Sequence, residues 1–122
     1  TGGTPKTPAN IEQLFTPSET RPNYIFQTFL YASIMCRQQT LKVAPALLYI
    51  HRAASDSYSP VIEMGEPRQP KIPVNNFTFF EDEFRKRLQT LLEEIFSENE
   101  PFTQTEDIKK CSYCDFKAIC KR

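Results

Sequence analysis

Phe26-Gln27-Thr28-Phe29-Leu30-Tyr31, and a little further on Ala44-Pro45-Ala46-Leu47-Leu48-Tyr49, are the stretches whose reading decides the fold. The first sits in a run from Tyr24 to Gln39 that holds neither Gly nor Pro. Pro22 ahead of it suits a first helical turn, where the missing N–H would have no intrahelical partner anyway. Ile25, Phe26, Phe29, Leu30, Tyr31, Ile34 and Met35 make this helix apolar on most sides, so it is expected to be largely buried, interrupted by Gln27, Thr28 and Ser33. The second stretch lies within Val43 to Ile50, an apolar run of strand length in which Pro45 is tolerable near the start. A buried helix followed by a buried strand predicts an α/β chain with helices packed on a short sheet, and His51-Arg52 emerging at the strand's end.

Working outward, residues 1–20 read as a lead-in loop punctuated by Gly2, Gly3 and Pro5, with one or two helical turns at Ala9 to Phe15. Residues 21–54 hold the helix and strand just described. Residues 55–76 carry Pro60, Pro67, Pro70 and Pro73 and read as a loop or edge hairpin, with weak alternation at Val61-Ile62-Glu63-Met64. Residues 77–99 form an amphipathic helix, because Phe80, Phe84, Leu88, Leu91, Leu92, Ile95 and Phe96 recur at helical spacing. Thr78 and Glu81 fit a capping box at its start. Glu81–Arg85, Asp82–Lys86 and Glu83–Arg87 are expected i,i+4 pairs, worth a few tenths of a kcal/mol each. Residues 100–122 form a Cys-bearing tail after Pro101.

With 122 residues and 39% hydrophobic content, one small domain or a piece of one is expected, with enough apolar mass for a modest core. Fifteen basic and fifteen acidic residues cancel, so net charge gives no argument for a polyanionic partner. The charge is uneven. Glu81 to Glu100 holds seven acids against three bases, and Lys109 to Arg122 holds five bases against Asp115 alone. No run approaches the roughly 20 apolar residues that span a bilayer. Opening on Thr1 rather than Met, the chain reads as a piece of a longer protein.

The sharpest chemical signal is Cys111-x2-Cys114-x5-Cys120. A C-x2-C turn sets two thiolates within reach of one soft metal, and a third cysteine a turn later closes on it. Such crowding suits a reducing cytoplasm better than two disulfides. The local set supplies three ligands where zinc or an iron–sulfur cluster takes four; Cys36, His51, an outside residue or none fills the last place. Reduced thiols packing a small knot are the alternative. Gln27 and Tyr31 share one helical face, and a glutamine buried without partners costs roughly 1–3 kcal/mol, so Gln27 needs a polar destination or a satisfied structural role. A Cys36–His51 hydrolase pair is too weakly signalled to carry a reading.

Together these features resemble the C-terminal part of the nuclease domain of RecB-family, PD-(D/E)XK-type proteins, most closely the AddB-type helicase–nuclease subunits. Thr1-Gly2-Gly3 looks like the end of an Asp-Tyr-Lys-Thr-Gly-like strand. Phe26 to Tyr31 looks like the family's Gln-x3-Tyr helix, Ala44 to Tyr49 like its following strand, and Asp107 to Cys120 like its cysteine tail. The resemblance spans nearly the whole chain in the family's order. It implies a deoxyribonuclease of recombinational repair that uses Mg2+ or Mn2+, with the catalytic acids and lysine before Thr1. Residues 1–122 would then be the C-terminal part of one nuclease domain, inactive alone. Gln27 would orient a catalytic group or contact DNA, with Tyr31 in support. Cys111, Cys114 and Cys120 would be three ligands of a [4Fe–4S] cluster whose fourth lies far upstream; alone, the chain would bind zinc or no metal. DNA, and a helicase domain or subunit, are the implied partners, and uncovered sheet edges favour a dimer. The rivals are a small zinc-binding interaction module and a nuclease-like scaffold that has lost its catalytic residues.

Overall fold

The computed structural model describes residues 3–38, 42–99, 101 and 103–121. Thr1 and Gly2 of the lead-in run, Gln39 at the expected helix end, and Glu100 and Arg122 of the tail lie outside the described residues. Among the described residues, four helices and one hairpin follow in chain order: α1 (Glu12–Phe15), α2 (Asn23–Gln38), β1 (Glu63–Met64), β2 (Ile72–Pro73), α3 (Thr78–Ile95) and α4 (Ile108–Ser112), with a 3-10 turn at Ile50–Arg52. The family of elements is α/β, with helices and a small antiparallel sheet.

Helices α1, α2 and α3 pack against one another. The reason is aromatic. Phe84 on α3 is fully buried and stands 5.3 Å from the Phe15 ring, 5.7 Å from Phe26, 6.0 Å from Phe29 and 5.9 Å from Phe77, centroid to centroid. Tilted and edge-on contacts of this kind add to the area they bury. Ile11 and Leu14 of the α1 region, Ile25 and Ala32 of α2, and Ile62, Met64 and Val74 of the hairpin complete the core.

Helix α2 departs from its expected burial. It buries only Ile25, Phe29, Ala32 and Ser33, the i, i+4, i+7, i+8 stripe turned to α3, while Tyr24, Gln27, Tyr31, Ile34 and Met35 face outward. The apolar residues all round the helix therefore mark two faces, one packed and one open.

The expected strand at Val43 to Ile50 is extended but scarcely laddered. Its pairing is a single antiparallel bridge, Ala46 to Val61, with the Leu47 N–H donating to the Pro60 carbonyl at 2.8 Å. Pro45 and Pro60 bring no N–H to this ladder. The Tyr58 hydroxyl substitutes, donating to the Leu47 carbonyl at 2.6 Å and accepting the Tyr49 N–H at 2.8 Å. Burial alternates as a strand should: Val43, Pro45, Leu47 and Tyr49 turn inward, while Ala44, Ala46, Leu48 and Ile50 are exposed. The segment is thus half-buried, not buried on both faces.

The hairpin pairs Glu63 with Pro73 and Met64 with Ile72, and the Val74 N–H reaches the Ile62 carbonyl at 2.8 Å. Gly65 turns the chain with φ +151°, where a Cβ would lie 3.2 Å from the Pro70 carbonyl oxygen, so any other residue would be strained there. Lys71 Nζ closes the turn by donating to the Gly65 and Glu66 carbonyls.

At the start of α3 the capping box does not form. Thr78 is already helical, and Asn76 Oδ1 accepts both the Thr78 N–H, at 3.2 Å, and the Thr78 hydroxyl, at 2.7 Å. The anticipated i,i+4 pairs are rearranged too: Arg85 pairs with Asp82 at 2.7 Å, and Arg87 crosses to Glu12 at the start of α1 at 3.3 Å.

Candidate functional site

Gln27 and Tyr31 project from the open face of α2, one turn apart, and the Gln27 Nε2 donates to the Tyr31 hydroxyl at 3.0 Å. The pairing fixes the carboxamide without consuming it: its oxygen and second N–H stay available to a ligand. Neither side chain is buried, so the polar destination expected inside the protein is instead the surface. A carboxamide carries no charge and exchanges no proton near neutral pH. It orients a group or binds one, and cannot serve as a general base.

Tyr24 lies one turn before Gln27 and lines a cleft of about 380 Å3 at the start of α2, together with Gly3, Lys6, Arg21 and Tyr49. Lys6 Nζ donates to the Thr20 and Arg21 carbonyls at 2.9 and 3.1 Å, tying the lead-in segment to the helix start. The Arg21 guanidinium carbon stands 5.1 Å from the centroid of the Phe26 ring, and its Nε is buried without a partner. Burial, and then the nearby Tyr58 and Tyr24, push the Tyr49 phenol above its ordinary range, so it stays a neutral hydroxyl. Lys6, Arg21 and Tyr58 were not marked by any sequence motif. Only their bonding in space reveals them, although Tyr49 ends the quoted strand segment.

The acids do not converge. Among the described residues no group of three or more His, Cys, Asp and Glu side chains could hold a metal ion. The described residues thus present no converging set of acids, and no hydrolytic step is routed through them.

The cysteine tail is likewise open. Cys111 is half-buried in the last turn of α4, while Cys114 and Cys120 are exposed in the turns beyond it, and all are free thiols. The three are not gathered into a ligating group. The two candidates for a fourth ligand on this chain sit on other elements. Cys36 sits half-buried on α2 against the core, where burial and the Glu81 carboxylate hold its thiol above the ordinary range and so protonated. His51 is exposed on the 3-10 turn, edge-on to Tyr49 at 6.3 Å.

A family model described as the PD-(D/E)XK nuclease superfamily matches residues 3–121. No curated protein and no solved structure matches the chain.

Proposed function

Because the chain belongs to the PD-(D/E)XK nuclease superfamily, we propose that it is part of a metal-dependent DNA nuclease of recombinational repair, of the RecB type and nearest to AddB-type subunits. The observation that carries the reading is the family match across residues 3–121, almost the whole chain. Membership implies phosphodiester hydrolysis on DNA with Mg2+ or Mn2+ as the activating ion. In this reading the catalytic acids and lysine stand upstream of the chain.

In this reading the open face of α2 is turned to the substrate. Gln27, steadied by Tyr31, donates to or accepts from a DNA phosphate, sugar or base edge, a positioning contact of the kind that fixes register on a duplex. Cys111, Cys114 and Cys120 are three ligands of a [4Fe–4S] cluster completed from elsewhere; left alone, they take zinc or nothing. A helicase domain or subunit is the natural partner of such a nuclease. A second reading, a nuclease-like scaffold without catalysis, is favoured by the lack of converging acids among the described residues. A free-standing zinc module would leave the match over nearly the full chain unexplained.

The test is cleavage of linear and plasmid DNA with Mg2+ or Mn2+. The chain alone should leave both intact. Supplied with the protein segment encoded immediately before it, which should carry a strand ending in Asp/Glu-x-Lys, it should degrade them. Robust cleavage by the purified chain alone would contradict the proposal, and an upstream segment without those residues would favour the scaffold.

A further inference from the structure

The lead-in segment and the start of α2 bring two cations to one cleft that no acid enters. Lys6 and Arg21 line the cleft of about 380 Å3 together with Tyr24 and Tyr49, and no carboxylate lines it. Residues 1–31 contain two acids, Glu12 and Glu19, and both are engaged elsewhere, with Arg87 at 3.3 Å and Lys109 at 3.0 Å. Neither Lys6 nor Arg21 has an ion-pair partner among the described residues. Glu63 lines the adjoining cleft, which shares Lys6 and Tyr49, so its charge turns an anion toward the Arg21 end.

Both cations are held in place. Lys6 gives two of its three N–H groups to the Thr20 and Arg21 carbonyls, which leaves one for a ligand. The Arg21 guanidinium lies over the Phe26 ring at 5.1 Å, and its covered Nε has no acceptor, so no oxygen of the protein offsets the charge there. Beside them Tyr24 is 48% exposed and backed by Gly3, where a Cβ would stand 3.8 Å from the ring. Tyr24, Gln27 and Tyr31 follow at i, i+3 and i+7, one stripe along the open face of α2. Fixed cations next to a half-open aromatic ring suit a phosphate with a base attached. The volume suits it too, since pockets that hold small ligands run from roughly 300 to 1,000 Å3.

We propose that this cleft holds a backbone phosphate of single-stranded DNA, with the adjoining base stacked on Tyr24 and the strand continuing past Gln27 and Tyr31. The proposal rests on the nuclease reading for DNA as substrate, and adds the form of that DNA and the residues that anchor it. The phosphate accepts from the Arg21 fork and from the spare N–H of Lys6, charge-assisted bonds of the stronger kind. A base that stacks on a protein ring has to leave its neighbours, which a single strand permits and a duplex resists.

Fluorescence anisotropy of a labelled oligothymidylate, titrated with the 122-residue chain at low salt in EDTA, reads binding without cleavage. The strand should bind more tightly than a duplex of equal length. Arg21→Gln should weaken it at least ~10-fold at unchanged helix content, and lower the salt slope by about one. Tyr24→Leu should weaken it by a similar factor and leave the salt slope alone, which separates stacking from charge. Lys6→Gln, in an exposed loop, should lower the salt slope as well, and keeps the test decisive if the Arg21 variant folds poorly. Inorganic phosphate should compete far less well than unlabelled strand, because it brings no base. Absence of binding at high micromolar chain would overturn the proposal, as would duplex bound as tightly as strand, or an affinity indifferent to both cation variants. Phosphate competing as well as the strand, with Tyr24→Leu neutral, would make the cleft a site for the free anion and overturn it too. A chain that binds in the expected way yet never cleaves with its upstream segment would defeat the nuclease reading alone.

Discussion

At the scale of single residues, Tyr58 does the work of two missing rungs. Its hydroxyl joins the Leu47 carbonyl to the Tyr49 N–H where Pro45 and Pro60 deny the backbone a ladder. Tyr49 is almost wholly buried, so its amide has no ready access to replacement water. Tyr58→Phe keeps the ring and removes both bonds, leaving a donor and an acceptor unmatched. The expected cost is about 1–3 kcal/mol, read as a fall in thermal midpoint. An unchanged midpoint would mean that water replaces the hydroxyl at no cost. Gln27 shows what one residue of sequence can and cannot reveal. A glutamine amid Phe26, Phe29 and Leu30 announces a polar task. Its exposure was not legible, because whether the face of a helix that is apolar all round is covered depends on the partners packed against it.

At the scale of elements, α2 and α3 were legible because their apolar residues recur over several turns, whereas the start of α3 was misread. Thr78-x-x-Glu81 satisfies the capping-box pattern, but the buried Phe77, whose N–H donates to the Val43 carbonyl at 2.8 Å, fixes where the helix begins. That long-range bond, absent from any local pattern, draws Thr78 into the first turn and leaves the cap to Asn76. Asn76→Ala should therefore cost about 1 kcal/mol in denaturant melts, more than Thr78→Ala does. The reverse order would restore the capping box. The strand at Val43 to Ile50 was legible as extended chain from its alternation, yet its thin pairing follows from prolines on both sides of the bridge and from a tyrosine distant in sequence.

At the scale of the whole molecule, the protein divides into a packed body and a tail that rests on it. No described residue from Ser97 to Lys121 is buried, and α4 packs on no other helix or strand. The tail meets the body through an ion pair, Lys109 to Glu19 at 3.0 Å, between side chains 78% and 62% exposed. Exposed pairs are worth roughly 0–1 kcal/mol, and the body's apolar core lies wholly before Ser97. Ending the chain at Phe96 should consequently shift the thermal midpoint by no more than a few degrees. Limited proteolysis should meanwhile nick the segment between α3 and α4 first and leave the body intact. Bound metal would change the second result and not the first, because thiolates at Cys111, Cys114 and Cys120 tie the tail to itself rather than to the core. If zinc binds the three thiols, slower cleavage within the tail is then expected at an unchanged midpoint of the body. A shortened chain that fails to fold would show that the tail covers apolar surface, and would move the cysteines from a clasp on the tail to a prop of the core.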